Sequence, residues 1–178
     1  MADVFQYSYG VFSCYIFGGI SSYSLYKENG NRKHLYFARK KQKEASASRI
    51  AGMPKNVSAY LKLLDAEELS VRKLTAPRIV SVAYDRAIDA MAAAGRPHME
   101  ALANKRAAYF QVKQGNRAEA QKYFERAVHL YKYEWGGNAK HDWLTEESTA
   151  ALSTIGDNKT GVVLSGVVGF GTDDWVDG

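Results

Sequence analysis

Cysteine is nearly missing from this 178-residue chain: Cys14 stands alone, so neither a disulfide framework nor a cysteine-rich zinc site can be built. Proline is almost as scarce, with three residues in all, which excludes collagen-like, mucin-like and proline-rich linker architectures. Long apolar runs are lacking as well. The most hydrophobic stretch, Val11 to Ile20 (VFSCYIFGGI), falls far short of the roughly 20 residues that a membrane-spanning helix needs. No Lys or Arg precedes Lys27, whereas a secretory signal starts basic and ends at a small-residue cleavage site. The chain therefore reads as intracellular, with a cytoplasmic location and no membrane contact expected. The sequons Asn56-Val57-Ser58 and Asn158-Lys159-Thr160 are then chance matches.

Catalytic patterns are missing too. No GxxxxGK[ST] phosphate loop occurs. The histidines, His34, His98, His129 and His141, are scattered, with no HExxH and no pair one helical turn apart, so no metal site is expected. His141-Asp142 could orient an imidazole, but no Ser or Cys nucleophile motif accompanies it. Gly166-Val167-Val168-Gly169-Phe170-Gly171 lacks the strand-loop-helix context of a phosphate-binding loop. Cys14, among Phe12, Tyr15, Ile16 and Phe17, reads as a small buried thiol, since a reactive thiolate needs positive charge nearby. The expectation is a chain that is not an enzyme and carries no cofactor.

What is present is ordinary globular usage, 46% apolar and 24% charged, in a length suited to one domain. The net charge of +5 is unevenly spread: residues 1–56 hold nine Lys/Arg against three acids, 57–144 fourteen against ten, and 145–178 one against six. A basic body carries an acidic end.

An internal repeat is the clearest pattern. Tyr84-Asp85-Arg86-Ala87-Ile88 and Phe124-Glu125-Arg126-Ala127-Val128 are one phrase displaced by 40 residues. Val80, Tyr84, Ala87, Ile88 and Met91 fall at the spacing of one helix face, as do Ala120, Phe124, Ala127, Val128 and Tyr131. A second echo links Lys27-Glu28-Asn29-Gly30-Asn31-Arg32 with Val112-Lys113-Gln114-Gly115-Asn116-Arg117. Gly there would end one helix in the left-handed conformation and Asn would cap the next. Val57 to Leu74, without Gly or Pro, reads as a further helix; Thr75 and Pro77 suit the cap and first turn of its partner, and Gly95-Arg96-Pro97 closes that partner and opens another.

The result is an all-α solenoid of three antiparallel helix pairs: 5–29 with 32–50, 57–74 with 77–94, and 98–113 with 117–134. In the first helix Gly10, Gly18 and Gly19 and several Ser and Tyr residues are poor or middling helix formers, so only the repeat argues for helix there. Residues 1–144 form the repeat domain. Residues 145–178, acidic and Gly/Val-rich, read as a mostly disordered tail.

Ala101 to Trp135, with Ala107-Ala108, Lys113-Gln114-Gly115-Asn116, Glu119-Ala120, Phe124, Ala127 and Leu130-Tyr131, resembles a tetratricopeptide repeat. Over residues 11–144, the order of a Tyr-rich helix, Gly30-Asn31-Arg32, a basic helix, Leu63-Leu64-Asp65-Ala66-Glu67, Tyr84-Asp85-Arg86-Ala87-Ile88, Ala101-Leu102-Ala103-Asn104, Leu130-Tyr131 and Trp135-Gly136-Gly137-Asn138-Ala139-Lys140 is similar to the superhelical arm of large multidomain signalling ATPases. That resemblance implies a right-handed superhelix. It also implies a protein-interaction or scaffold role in signal transduction, with a peptide, a protein or neighbouring domains of a larger parent as partners, the chain being such an arm or a fragment of it. By the same resemblance Lys105, Arg106, Tyr109, Val112 and Lys113 would line a peptide groove. Tyr109 stands where the asparagine of a terminal-carboxylate clamp would be.

An alternative rests on Arg32 to Lys43. Six cations in twelve residues, Arg32, Lys33, Arg39, Lys40, Lys41 and Lys43, are interleaved with Tyr36 and Phe37. Phosphate neutralisation with base stacking is how unspecific RNA or DNA binding is built.

Overall fold

A computed structural model describes the backbone of residues 2–50 and 57–157 and the side chains of 14–47 and 57–155. Among them there are helices and no strands: α1 (Ala2–Asn29), α2 (Arg32–Ile50), α3 (Val57–Val71), α4 (Pro77–Ala93), α5 (Pro97–Lys113), α6 (Arg117–His129) and α7 (Asn138–Asp157), with a π-helical turn, Leu130–Glu134, continuing α6. Successive helices pack as neighbours, α1 with α2, α3 with α4 and α5 with α6, and the pairs meet through α1 and α2 on α3, α4 on α5, and α6 on α7.

The turns form where the glycines allow them. Gly30, Gly95 and Gly115 have φ of 68°, 63° and 74°, the left-handed region where a side chain costs about 1–2 kcal/mol. Asn31 caps α2 by accepting the Lys33 backbone N–H at 3.0 Å. Asn116 does not cap α6 in that way. Its side chain turns back and donates to Gln111 Oε1 at 2.9 Å, while its backbone N–H closes on Gln111 O at 3.0 Å. Likewise Ala76, not Thr75, is the capping position of α4, without a side-chain bond, and Pro77 takes the first turn. The third helix stops at Val71 rather than Leu74, because Leu74 lies beyond the packed face and is fully exposed.

The repeated phrase is what buries the pairs. Val80, Tyr84, Ala87 and Met91 on α4, and Ala120, Phe124, Ala127 and Tyr131 on α6 and its π turn, are all buried, with Ile88 and Val128 half-buried beside them. Two cores result. The larger holds Ile16, Tyr23, Leu63, Leu64, Tyr84, Met91 and Met99 across α1–α5; the smaller holds Ala101, Ala108, Phe124, Ala127, Leu130, Tyr131 and Leu144 across α5–α7. α5 contributes to both, and its small Ala101, Ala103, Ala107 and Ala108 let partners approach on two sides. α1 is helical despite its glycines. Gly19 faces Leu64, and a Cβ there would lie 2.8 Å from Leu64 Cδ2, so a residue with poor helix propensity provides close helix approach.

Two expectations change. Residues 145–157 are not a tail but the continuation of α7, held by Leu144, Ala151 and Leu152 against the smaller core; residues 158–178 lie outside the described part. Cys14 is exposed rather than buried. The inward stripe of α1 is Ile16, Ile20 and Tyr23, and Cys14, two residues before Ile16, falls roughly 200° away around the helix. Among the described residues no helix is long and apolar enough to cross a membrane.

Candidate interaction groove

A cavity of about 580 Å³ opens between α1, α3, α5 and α7, with Tyr26, Val71, Phe110, Val112 and Ala151 among its apolar lining and Lys27, Arg106 and Lys113 among its charged residues. Its polar floor is set by one acid. Glu67 is fully buried, and on α3 it stands one turn from Leu63 and Leu64, on the face that turns inward.

Four hydrogen bonds answer its charge. Arg106 Nε donates to Oε1 and Nη2 to Oε2, each at 2.8 Å; Lys27 Nζ donates to Oε2 at 2.7 Å; Tyr84 OH donates to Oε1 at 2.9 Å. One carboxylate thus ties α1, α4 and α5 to α3. Burial alone would raise the Glu67 carboxyl, but the Arg106 and Lys27 charges outweigh it and hold it well below the ordinary carboxylate range. Lys27 is pulled by burial, and by Arg106, down to about 8 in spite of Glu67. Burial and the Glu67 charge push the Tyr84 phenol up.

A second pair closes the α7 side. Lys105 Nζ lies 3.5 Å from Glu147 Oε2 and 3.7 Å from the centre of the Trp143 ring, a cation–π distance. Burial lowers Lys105 to about 8 although Glu147 opposes it. Burial, then the neighbouring Glu147 carboxylate, raises the Tyr109 phenol. Burial and the Arg106 charge lower Lys113 at the groove's edge.

Of the groove residues named from sequence, Arg106, Tyr109, Val112 and Lys113 line the cavity, while Lys105 sits beside it under α7. Arg106 and Lys105 are held by Glu67 and Glu147, while Lys113 is exposed at the cavity's edge. Sequence reasoning passed over Lys27, Glu67, Tyr84 and the α7 wall. The available signal was an acid, Glu67, placed among the leucines of an apolar helix face.

On α2 the six basic residues separate. Arg39 Nε lies 3.3 Å from Glu68 Oε1. Lys41 pairs with Glu44 at 2.9 Å and stands over the Tyr15 and Phe37 rings. Arg32, Lys33, Lys40 and Lys43 are exposed. The histidines stay apart: His98 lies against Trp135, His129 against Tyr133, and His141 Nδ1 lies 2.7 Å from its neighbour Asp142. Among the described residues no group of three potential metal ligands comes together.

No family model, no curated protein and no solved structure matches this chain.

Proposed function

We propose that the chain is a protein-interaction or scaffold module, a tetratricopeptide-like solenoid whose helix pairs stack in a right-handed superhelix and present the α1/α3/α5/α7 groove to an extended segment of a partner. The observation that carries this reading is the groove: about 580 Å³ of mostly apolar lining over Arg106 and Lys27, whose two charges Glu67 halves from within. A floor of that kind resists collapse, because closing the walls would desolvate Lys113 and Glu28 at its edge. Such a cleft contributes shape and apolar contact rather than bond chemistry. The occupant is a peptide or a neighbouring domain of a cytoplasmic signal-transduction ATPase of which this chain is the arm or a piece.

Thr154→Arg tests the reading. Thr154 lines the groove and is exposed, so a long side chain fills the cleft without entering either core. Proteins retained from extract by the wild type are expected to be lost by Thr154→Arg and kept by Arg78→Glu, a change on the exposed start of α4, with circular dichroism the same for all three. Equal retention by all three would place the partner surface elsewhere.

A further inference from the structure

The outer face of α2 carries exposed aromatic rings among cations. Ala38 and Ala45 are fully buried and fix which side of α2 meets the core. At about 100° per residue, the opposite side carries Tyr36 at its centre, with Arg32 and Lys43 on one flank and Lys33 and Lys40 on the other. Tyr36 is 73% exposed and the adjoining Phe37 44%, whereas Tyr23 and Tyr84 are buried completely. Acids are confined to the margins of this stripe, where Glu44 holds Lys41 and Glu68 holds both Arg39 and Arg72. Arg32, Lys33, Lys40 and Lys43 project to solvent with no described acid paired to them, and Lys40 and Lys43, three residues apart, repel each other.

We propose that this face binds single-stranded nucleic acid, the four cations neutralising successive phosphates and Tyr36 stacking on a base. A ring lying in a row of cations is the arrangement that sequence-tolerant single-strand binding uses. A duplex is disfavoured, since its bases are already stacked and offer no free face to Tyr36. An anionic bilayer is disfavoured as well, because a surface helix inserts its apolar face and the apolar face of α2 is spent on the core. From Arg32 to Lys43 the stripe runs roughly 16 Å at 1.5 Å per residue. No α2 residue lines the groove, so this surface is independent of the reading above.

The probe is a fluorescein-labelled 20-nucleotide oligo(dT), titrated with the full chain and followed by anisotropy from about 20 to 200 mM NaCl. Binding is expected at low salt, with log affinity falling against log salt at a slope no steeper than about −2.8, the value for four phosphates on a single strand. Lys40→Glu with Lys43→Glu should abolish binding while leaving the melting curve unchanged, since both side chains are exposed. Tyr36→Ala should weaken binding about 5-fold or more at every salt concentration without changing the slope, and Tyr36→Phe should restore it. Thr154→Arg should bind as wild type. The proposal fails if no binding occurs at 20 mM NaCl or if the double variant still binds. It fails equally if Tyr36→Ala has no effect, or if phosphatidylserine vesicles or a poly-glutamate peptide compete as well as unlabelled oligo(dT), which would mark an undiscriminating basic surface.

Discussion

Glu67 accepts hydrogen bonds from Arg106, Lys27 and Tyr84, which reach it from three different helices. Removing it leaves buried Arg106 beside half-buried Lys27 with no counter-charge, and breaking a buried pair from one side costs about 3–5 kcal/mol. Glu67→Ala is therefore expected to lower the urea-unfolding free energy by that amount, against about 1 kcal/mol or less for Glu125→Ala on an exposed helix face. The same network sets two pH limits. Glu67, held below its ordinary value of 4.5, contributes stability that is present above that value and lost as pH falls beneath it. Lys27 and Lys105, lowered to about 8 from 10.5, bind fewer protons folded than unfolded between those values, so stability rises as pH climbs from about 8 toward 10. Melting temperature against pH is the check. Lys27→Met should reduce the alkaline rise to the part that Lys105 supplies, and an unchanged profile would deny Lys27 its place beside Glu67.

At the level of elements, Ala127 marks where α6 crosses α5, fully buried beside Ala101, Ala108 and Phe124. Ala127→Asp puts an unpaired charge into that crossing, and the expected result is loss of amide-exchange protection throughout α5, α6 and α7. Unchanged thermal unfolding would refute the register of the repeat. That register was legible because the phrase recurs with the same apolar spacing and because Gly30, Gly95 and Gly115 punctuate it. Where the helix ends depended on side-chain partners, sequence spoke less well. Asn116 has the composition of a cap yet spends its amide on Gln111, and the run to Leu74 has helical composition but no core beneath its last turn. α7 was hidden for a related reason: Leu144, Ala151 and Leu152 are its few inward side chains, spaced among Thr, Ser and Glu that read as tail. The groove was half legible. Its α5 residues were named from the resemblance, but the pairing of Glu67 with Lys27 and Arg106 spans about 40 residues in each direction, a distance at which local pattern carries no information.

For the molecule as a whole, the two cores communicate chiefly through α5, which gives Met99, Ala103, Ala107 and Phe110 to one and Ala101 and Ala108 to the other. Among the described residues the α7 end is held by Leu144, Ala151 and Leu152 on the smaller core, by Lys105 between Glu147 and Trp143, and by the bond from Arg117 Nη1 to Leu152 O at 2.6 Å. Emptying the Leu144 site therefore weakens one end of the molecule and leaves the other its own core. Leu144→Ala is expected to cost about 2–5 kcal/mol, the range for a buried leucine truncated to alanine, and amide exchange should localise that cost. Protection should fall in α6, the π turn and α7, while α1, α2 and α3 keep theirs, because none of their buried side chains belongs to the smaller core. A uniform fall across all the described helices would instead mean that α5 transmits the defect without loss and that the chain unfolds as one cooperative unit. The groove shares the fate of α7, since Ala151 and Thr154 form one of its walls; partner retention should weaken in Leu144→Ala even though Arg106, Lys27 and Glu67 remain joined at its floor.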